Sequence, residues 1–256
     1  MPLLTPRQAD IIALARDTGR LDVDSLAGHF GVTPQTIRKD LNHLCEQGLL
    51  QRYHGGAMLP SGVANLAYEA RRQLATDGKR RIGLRAAQLI PNDCSLLINI
   101  GTTTEQVATA LRSHTGLMVI TNNINVVNIL QGYAGIEVIV AGGMVRHADG
   151  GIVGEAAVDF IRQFKVDNGQ IGNSGLESDG TLRDNDNREV TVARAIVERS
   201  REVWLAADHS KFNRPAMVEV ARFDRIDVLF TDAEPPEPFP ALLAEAGVEC
   251  VVAGTA

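Results

Sequence analysis

The stretch Thr33-Pro34-Gln35-Thr36-Ile37-Arg38-Lys39-Asp40-Leu41-Asn42-His43-Leu44 has the pattern of one amphipathic helix. Thr33 can cap its start, and Pro34 suits the first turn, where the missing N–H costs nothing. Ile37, Leu41 and Leu44 recur at helical spacing and predict a buried stripe. The other side carries the amides, hydroxyls and cations of Gln35, Thr36, Arg38, Lys39 and Asn42. Such groups contact the bases and phosphates of DNA, although a solvated polar face explains the helix taken alone.

The segments before this helix complete a helix-turn-helix pattern. Thr5-Pro6-Arg7-Gln8 combines an N-cap, a first-turn proline and a capping-box glutamine, which predicts the start of a first helix. Asp22 or Asp24 can cap a short second helix. Gly31 then supplies the tight turn that joins the second helix to the third.

The segment after the helix predicts a β-hairpin. Residues 49–54 and 57–59 flank Gly55-Gly56, which is a turn signal. Three helices followed by a hairpin make a winged helix-turn-helix, which we place at residues 1–59, and whose recognition helix enters the major groove of DNA. The predicted DNA-binding residues are Thr33, Gln35, Thr36, Arg38, Lys39, Asn42, Arg52 and His54.

Charge is distributed unevenly along the chain, whose net charge is −6. Residues 1–59 have no net charge, and residues 60–82 carry five basic and two acidic side chains. The excess of acidic side chains therefore lies in residues 83–256. A local cationic surface decides DNA binding more than the total charge does. We expect the cations of the basic run to be exposed, as a solvated face or as an extension of the field toward DNA: Arg71, Arg72, Lys79, Arg80 and Arg81.

The larger part of the chain predicts an α/β domain. Pro60-Ser61-Gly62 breaks the pattern, so we predict a linker at residues 60–82 and a second domain at residues 83–256. Seven apolar runs alternate with helical segments, as is typical of parallel strands buried on both faces. The predicted strands are Ser95–Ile100, Leu117–Thr121, Ile136–Ala141, Gln170–Gly172, Val203–Ala207, Val228–Thr231 and Val248–Ala253.

Polar, glycine-rich turns follow several of these strands. Ligands of parallel sheets bind beyond the carboxyl ends of the strands. Gly101 permits close backbone approach, a helix start favours anions, and Lys211 can neutralise a phosphate. Turn chemistry explains each turn taken singly, whereas the set predicts a pocket for a small anionic ligand. Its predicted residues are Gly101, Thr102, Thr103, Thr104, Asn122, Asn123, Gly142, Gly143, Ser174, Asp208, Ser210 and Lys211.

Two ordered sets of motifs run through nearly the whole chain. They are Pro34–Leu41 and Arg52–Ala57 in the first domain, and Ile100–Thr103, Thr121–Asn123, Ala141–Gly143, Gly150–Glu155 and Asp208–Phe212 in the second. Together they resemble the DeoR-type bacterial transcriptional repressors. The resemblance implies a second domain related to sugar-phosphate isomerases such as ribose-5-phosphate isomerase. It also implies a dimeric or tetrameric repressor, released from double-stranded operator DNA by a small phosphorylated metabolite.

Within that family, the motifs Asn122–Val126 and Asp149–Ile161 are most similar to those of members that control glycerol catabolism. This similarity implies an effector such as glycerol 3-phosphate. The chain departs from the family pattern in the effector domain. Asn99 replaces an aspartate, Asn173 an aliphatic residue and Ala193 a lysine, and residues 185–187 replace a more aromatic stretch. These changes bear on the choice of effector.

A sugar-phosphate isomerase with an accessory winged helix is the alternative function. Isomerisation needs a positioned carboxylate base. Asn99 and Asn173 are amides, which leaves Asp208, Glu105 and Asp179 as candidate carboxylates, each explained more simply by a structural role. We therefore predict no catalytic residue.

The cysteines and the apolar runs bear on the cellular compartment. Cys45, Cys94 and Cys250 are odd in number and scattered, which predicts a reduced cytoplasmic protein. No apolar run approaches the roughly 20 residues of a membrane span, and Arg7 and Asp10 interrupt any signal peptide. We expect no metal site, no cofactor and no membrane partner.

Overall fold

The computed structural model describes residues 4–18, 20–53, 55–58 and 68–254. The predicted wing residue His54 and the predicted break at Pro60-Ser61-Gly62 lie outside the described residues. The chain divides into two compact units, residues 1–74 and residues 75–256.

The first unit combines helices with a small sheet. Its elements are α1 (Pro6–Thr18), β1 (Arg20–Asp22), α2 (Val23–Phe30), α3 (Pro34–Glu46), β2 (Gln51–Tyr53), β3 (Gly56–Met58) and α4 (Tyr68–Gln73). β2 and β3 form the expected hairpin, but Gly56, predicted as a turn residue, belongs to β3 and pairs with Tyr53. β1, which the sequence did not indicate, pairs with β3 and completes a three-stranded antiparallel sheet.

The ends of the helices follow the predicted capping residues. The Thr5 N–H donates to Gln8 Oε1 (3.1 Å), and the Gln8 N–H donates to Thr5 Oγ1 (3.3 Å). Asp22, rather than Asp24, caps α2 and accepts two backbone N–H groups of its first turn. Gly31 ends α2 with φ at 64°, a conformation that glycine adopts without a Cβ clash. These local contacts set the turn between α2 and α3.

α3 buries the predicted apolar stripe. Ile37, Leu41 and Leu44 are each 0% exposed, and they pack with Ile11 of α1 in the core of the first unit. Burying one such side chain contributes about 1.5–3 kcal/mol. The rotation of α3 about its axis is therefore set by packing, and the opposite side of the helix faces outward.

A buried carboxylate also holds α3 against α1. Asp40 is 6% exposed. Its carboxylate accepts from Arg7 Nε at 2.7 Å and from Gln8 Nε2 at 3.0 Å. Both partners come from the first turns of α1, so these two bonds fix how the helices meet.

Asp40→Ala is expected to destabilise the first unit by about 1–3 kcal/mol, because the buried Gln8 amide loses its acceptor. Urea denaturation followed by circular dichroism measures the loss. Glu46→Ala, at an exposed position of the same helix, is the control and should stay within about 0.5 kcal/mol of wild type. Equal midpoints for both variants would show that the Asp40 contacts contribute nothing to stability.

The second unit alternates strands and helices. In chain order it contains α5 (Thr76–Leu89), β4 (Ser95–Ile98), α6 (Thr102–Ala110), β5 (Leu117–Thr121), α7 (Ile124–Leu130), β6 (Ile136–Val140), β7 (Met144–Val145), β8 (Ile152–Val153), α8 (Glu155–Arg162), β9 (Val166–Ile171), β10 (Gly175–Leu176), β11 (Thr181–Asp184), α9 (Asn187–Glu198), β12 (Ser200–Ala206), β13 (Val218–Arg222), β14 (Val228–Thr231), α10 (Phe239–Ala246) and β15 (Glu249–Val252). A 3-10 turn at His209–Lys211 follows β12.

A seven-stranded sheet in the order β15-β14-β12-β9-β4-β5-β6 forms the centre of this unit. All its pairings are parallel, and its strands correspond to the seven predicted ones. The chain runs outward from β4 to β6, then returns to β9 and runs outward on the other side. Such a reversal opens a crevice between the two central strands at their carboxyl ends, which is where ligands of open α/β sheets bind.

Both faces of the sheet are covered. Leu97 and Ile171 face a core that includes α8 and α9, while Leu96 and Ile98 face a second core that includes α5 and α6. The alternation along each strand explains the continuous apolar runs of the sequence.

Several short elements were not predicted from the sequence. β10, β11 and β13 form a small antiparallel sheet, and β7 pairs with β8. α10 was also missed. β7, β8 and β10 have two residues each and are too short to show a period, so the sequence carries no signal for them. β11 and β13 are longer, with four and five residues.

The start of the second unit differs from the prediction. The unit begins at Ala75, whereas the predicted linker extended to residue 82. Ile82 and Ala86 are 0% exposed and pack α5 onto the sheet. Lys79, predicted to be exposed, is buried at 2% exposure because it precedes Ile82 by one helical turn on the same stripe. Of the other cations in the run, Arg72 and Arg80 are exposed, while Arg71 and Arg81 are half-buried.

The three cysteines are free of disulfide bonds. Within the described ranges, no helix is both long enough and apolar enough to cross a membrane.

Candidate functional site

The outward side of α3 presents the predicted polar row. Gln35, Arg38 and Lys39 are exposed. Thr33 and Thr36 serve the start of the helix, since Thr33 Oγ1 accepts the Thr36 N–H at 3.3 Å and the two hydroxyls are 2.9 Å apart. An amide and two cations are therefore displayed on a helix whose orientation the core fixes.

A contact between the hairpin and α3 was not foreseen. Arg52 of β2 donates to Asn42 Oδ1 from Nε at 3.1 Å and from a terminal nitrogen at 2.6 Å. It also donates to the Gly56 carbonyl at 3.3 Å. A bidentate contact of Asn42 with adenine needs both amide atoms. Because Arg52 occupies the oxygen, this geometry leaves Asn42 to act as a donor.

The strand order sorts the predicted effector residues into groups. The turns after β12, β9, β4 and β5 lie side by side, and they carry Asp208–Lys211, Ser174, Gly101–Thr104 and Asn122-Asn123. Gly142-Gly143 follows β6, the outermost strand, which is four strand spacings or about 19 Å from β12. One small ligand at the central crevice does not reach both ends of this row.

The turn after β4 opens directly into α6. Gly101 precedes the helix with φ at 152°. Thr104 Oγ1 donates to the carbonyls of Asn99 (2.8 Å) and Gly101 (2.9 Å), so its hydroxyl holds the turn. Thr102 and Thr103 are 8% and 4% exposed at the first turn of α6, where backbone N–H groups favour an anion.

The two asparagines after β5 have different partners. Asn123 caps α7 by accepting the Asn125 N–H at 2.8 Å, and its Nδ2 donates to Glu105 Oε1 at 3.1 Å. Asn122 Nδ2 donates to the Ile152 carbonyl at 3.1 Å. The Asn123 side chain thus stabilises the fold, whereas the Asn122 side-chain oxygen can accept a hydrogen bond from another donor.

The turn after β9 pairs with the small antiparallel sheet. Ser174 Oγ donates to Asp184 Oδ1 at 2.8 Å, and Asn173 Nδ2 donates to the Gly175 carbonyl at 2.8 Å. These contacts bring β11 to the edge of the crevice.

The turn after β12 encloses a charged cluster. Asp208 is 0% exposed and accepts from both the N–H and the hydroxyl of Ser210. Lys79 Nζ lies 3.8 Å from Asp208 Oδ2. Burial alone would raise the pKa of Asp208, but the charges of Lys211 and Lys79, together with the hydrogen bonds from Ser210, outweigh burial and hold the pKa below its ordinary value.

Four buried side-chain oxygens lie along this row without a hydrogen-bond partner among the described residues. They belong to Asn122, Asn99, Asn173 and Asp208, which follow the adjacent strands β5, β4, β9 and β12. Because the nitrogens of Asn122 and Asn173 donate to carbonyls, their oxygens must be the unpartnered atoms. Such acceptors suit the hydroxyl groups of a ligand. Asn99 and Asn173 were noted in the sequence as departures but were not predicted as site residues.

The three carboxylates considered as catalytic bases have structural partners. Glu105 accepts from Asn123 and Asn125 at 3.1 and 3.0 Å. Asp179 accepts the Thr181 N–H at 2.9 Å, and hydrogen bonding to Thr181 lowers its pKa. Because Asp208 also lies beside two lysines, these contacts favour a structural role for the three carboxylates over the role of a general base.

A cluster around Arg146 supports the crevice and was not foreseen. Its guanidinium contacts the carboxylates of Asp149, Asp186 (3.0 Å) and Glu189 (2.7 Å). Burial alone would lower the pKa of Arg146, but hydrogen bonds and charges from Asp149 and Glu189 outweigh burial and raise the pKa. The Asp149 carbonyl accepts from Asn125, which also bonds Glu105, so the cluster joins α9 to the turns after β4 and β5.

A separate cleft of about 370 Å³ lies between α9 and β13. Its walls include Arg194, Glu219 and Arg222 but none of the predicted effector residues. Arg194 is committed there to the Glu219 carbonyl at 2.5 Å.

Two family models match the chain. A DeoR-like helix-turn-helix domain matches residues 7–63, and a DeoR C terminal sensor domain matches residues 74–233. The chain belongs to the DeoR family. These matches confirm the predicted fold class, a helix-turn-helix domain followed by a larger α/β domain.

Curated relatives of this DeoR-family protein are transcriptional repressors. The chain is 48% identical over 232 residues to the glycerol-3-phosphate regulon repressor of Escherichia coli (strain K12), covering 91% of this chain and 92% of that protein. It is 45% identical to the repressor of the same name from Haemophilus influenzae, covering 90% and 89%. It is 36% identical to the HTH-type transcriptional repressor CsqR of Escherichia coli, covering 96% and 95%. The role of the chain is thus regulatory rather than enzymatic, as predicted.

Among solved structures, this DeoR-family chain is similar to ribose 5-phosphate isomerase A from Neisseria gonorrhoeae, with a TM-score of 0.40 and 14% identity over 56% of this chain and 55% of that one. It is also similar to eIF2B beta from Chaetomium thermophilum, with a TM-score of 0.45 and 16% identity over 60% and 48%.

Neither Lys79 nor Arg146 of this DeoR-family chain was predicted as a site residue. The sequence carried a signal for only one of the two. Lys79 carried a signal, since helical spacing places it in line with Ile82 and Ala86. Arg146 carried none, because it lies between two short strands and its partners Asp186 and Glu189 are 40 or more positions away.

Proposed function

We propose that the protein is a cytoplasmic repressor of a glycerol catabolism operon, released from double-stranded operator DNA by glycerol 3-phosphate. The observation that carries the proposal is its 48% identity, across both units, to a glycerol-3-phosphate regulon repressor. The exposed row on α3 and the unpartnered acceptors at the sheet edge supply the chemistry that the two activities need.

In this proposal, α3 reads the major groove. Gln35, Arg38 and Lys39 project from the side opposite the buried stripe and contact base edges or phosphates. Asn42 contributes its amide donor while Arg52 fixes it. Thr33, Thr36, Arg52 and the wing residue His54 add backbone contacts.

A homo-oligomer, dimeric or tetrameric, would present two such helices. Repressors of this type bind half-sites about 34 Å apart, or at multiples of that spacing, because one helical turn separates equivalent major grooves. The half-site spacing of a mapped operator is therefore a geometric test of the proposed assembly.

The effector would bind across the central crevice. The phosphate lies at the first turn of α6, near Gly101, Thr102 and Thr103, with Lys211 as counter-charge. The hydroxyl groups donate to the acceptor oxygens of Asn99 and Asn173. Neutral amides suit hydroxyls better than a second negative charge, so the site favours a polyol phosphate over a phosphorylated carboxylate.

Release of DNA requires the effector to distinguish two states of the protein. A hundredfold loss of operator affinity corresponds to about 2.7 kcal/mol of differential binding. Charge-assisted hydrogen bonds to one phosphate are strong enough to supply that difference.

Glycerol 3-phosphate at about 100 times its Kd is expected to stabilise the sensor unit by about 2.7 kcal/mol and to release the operator in a gel-shift titration. Thermal denaturation of the full chain measures the first effect. Glycerol and 3-phosphoglycerate are the matched controls, because one lacks the phosphate and the other adds a carboxylate. Equal responses to all three compounds, or none, would contradict the proposed effector.

A further inference from the structure

The basic run that precedes the sheet contains one residue with a different environment from its neighbours. Lys79 lies in the first turns of α5 and is 2% exposed, whereas the adjacent Arg80 is exposed. The side chain of Lys79 reaches the end of β12, where its Nζ is 3.8 Å from Asp208 Oδ2. α5 therefore places a cation at the same sheet edge as the proposed effector residues.

Other contacts hold this end of α5 to that edge. Gly78 lies so close to Asp232, which follows β14, that a Cβ at residue 78 would be 2.1 Å from Asp232 Oδ2. Arg81 donates to the Asp232 carbonyl at 3.2 Å. Asp232 in turn accepts the His209 N–H at 2.7 Å. The turn His209–Lys211 and the start of α5 thus share partners.

The charges at this edge favour an anion. Lys79 and Lys211 are both under 10% exposed, and Asp208 is the carboxylate that lowers the cost of burying them. Two carboxylates lie at this edge, Asp208 beside Lys79 and Asp232 beside Arg81 and His209. A phosphate that enters here would meet the two buried ammonium groups of Lys79 and Lys211. Lys211 was predicted as a phosphate partner from sequence, and Lys79 stands beside the same carboxylate.

We propose that Lys79 is an effector-binding residue, whose ammonium turns from Asp208 to the phosphate of the ligand and so moves the start of α5. This inference deepens the proposed function and rests on it for the identity of the effector. α5 begins at Thr76, two residues after the first unit ends at Leu74. A displacement of its first turn is therefore passed along the chain to the segment that leads to the DNA-binding unit.

The mechanism needs no large rearrangement. The phosphate attracts both ammonium groups, and Asp208 keeps its bonds to Ser210 while its contact with Lys79 lengthens. Because the packing of Ile82 and Ala86 holds the middle of α5, the movement is confined to its first turns.

Lys79→Met and the control Arg80→Met separate this role from a general effect of charge. We expect Lys79→Met to bind the operator without ligand within about twofold of wild type, since Lys79 is buried away from solvent. Its affinity for glycerol 3-phosphate should fall about tenfold to a hundredfold, the loss typical of one charge-assisted bond. At saturating ligand, its operator affinity should fall less than about threefold instead of a hundredfold. Arg80→Met should behave as wild type in all three measurements.

A purely structural ion pair predicts a different result. Lys79→Met would then melt at a lower temperature but keep the wild-type affinity for the ligand and the wild-type release of DNA, and that outcome would overturn the inference. If Lys79→Met does not fold, hydrogen exchange of the wild-type protein decides. Ligand should change the exchange of the amides of residues 76–82, and unchanged exchange there in the presence of bound ligand would overturn the inference.

A wild type that ignores glycerol 3-phosphate would contradict the proposed effector and not this residue assignment. Inorganic phosphate is then the probe. It should raise the melting temperature of the wild type and of Arg80→Met, but not that of Lys79→Met. Equal responses of all three proteins, including no response, would overturn the role of Lys79.

Discussion

Replacing Arg146 with methionine is expected to destabilise the second unit by about 3–5 kcal/mol at neutral pH, the cost of removing one partner from a buried ionic cluster. The Arg146 side chain is 12% exposed, and its guanidinium contacts Asp149, Asp186 and Glu189. Methionine has similar length but no charge, so the three carboxylates would lose the cation they share, while Arg188 keeps its contact with Asp186. Repulsion among the carboxylates and the cost of burying them without their cation both destabilise this variant.

The pH dependence distinguishes this explanation from a simple loss of packing. In the wild type, the hydrogen bond from Arg188 and the contacts with Arg146 hold the pKa of Asp186 well below its ordinary value of 3.8. A lowered pKa contributes stability above the ordinary value, and this contribution is lost as the pH falls through the folded-state pKa. The stability that Asp186 contributes is thus lost as the pH falls below its ordinary pKa of 3.8, and the loss is complete only in strong acid.

In Arg146→Met the sign is reversed. Crowded carboxylates without their cation bind protons more readily in the folded protein than in the unfolded chain, so stability should rise as the pH falls from neutral to about 5. Urea denaturation at both pH values measures this recovery. Arg188→Met is the matched control, because its side chain is 55% exposed and contacts the same Asp186, so its loss should lower the free energy of unfolding much less than the loss of Arg146 does. An Arg146 variant as stable as Arg188→Met at neutral pH would show that the cluster is not a structural centre.

Features formed by residues close together in the chain were predicted correctly more often than features formed across the fold. α3, its caps and the seven sheet strands were predictable because each is encoded by residues near one another: an N-cap, an apolar stripe or a buried run. The strand order also brings the turns after β4, β9 and β12 together, as parallel strands require. Local signals therefore specified the layers and the edge at which the candidate site lies.

Side-chain partners across the fold were not predictable in this way. Arg52 and Asn42 each read as independent DNA contacts, but the hairpin brings them within 2.6 Å of each other. Lys79 was predicted to belong to a cationic surface because it is one of five basic residues in a short run. Its helical spacing from Ile82, which indicates a buried position, was given less weight. The Asp40 contacts with α1 likewise depend on how two helices cross, which a single sequence does not reveal.

Arg38→Ala and Lys39→Ala are each expected to weaken operator binding by about tenfold to a hundredfold, because each removes a cation from the side of α3 proposed to face DNA. Both side chains are exposed, and neither belongs to the buried stripe. The stability of the first unit and the affinity for the effector should therefore be unchanged. Gel-shift titrations with the mapped operator measure the loss.

The salt dependence separates the two kinds of contact. A residue that neutralises a phosphate lowers the slope of log Kd against log salt by about one when it is removed, and it weakens all sequences alike. A residue that reads a base relaxes specificity at one position of the half-site instead. Lys39 carries a compact charge, whereas Arg38 carries a planar guanidinium. One can contact a phosphate while the other contacts a base, so both variants are titrated at several salt concentrations.

The matched control removes an exposed arginine from the second unit. Arg225→Ala changes the net charge of the protein by the same amount, and it should leave operator affinity within about twofold of wild type. If net charge alone governed binding, Arg225→Ala would weaken it as much as Arg38→Ala does. Wild-type affinity in both Arg38→Ala and Lys39→Ala would remove α3 from the interface, because no arrangement of a helix held by Ile37, Leu41 and Leu44 can meet the groove without its opposite side.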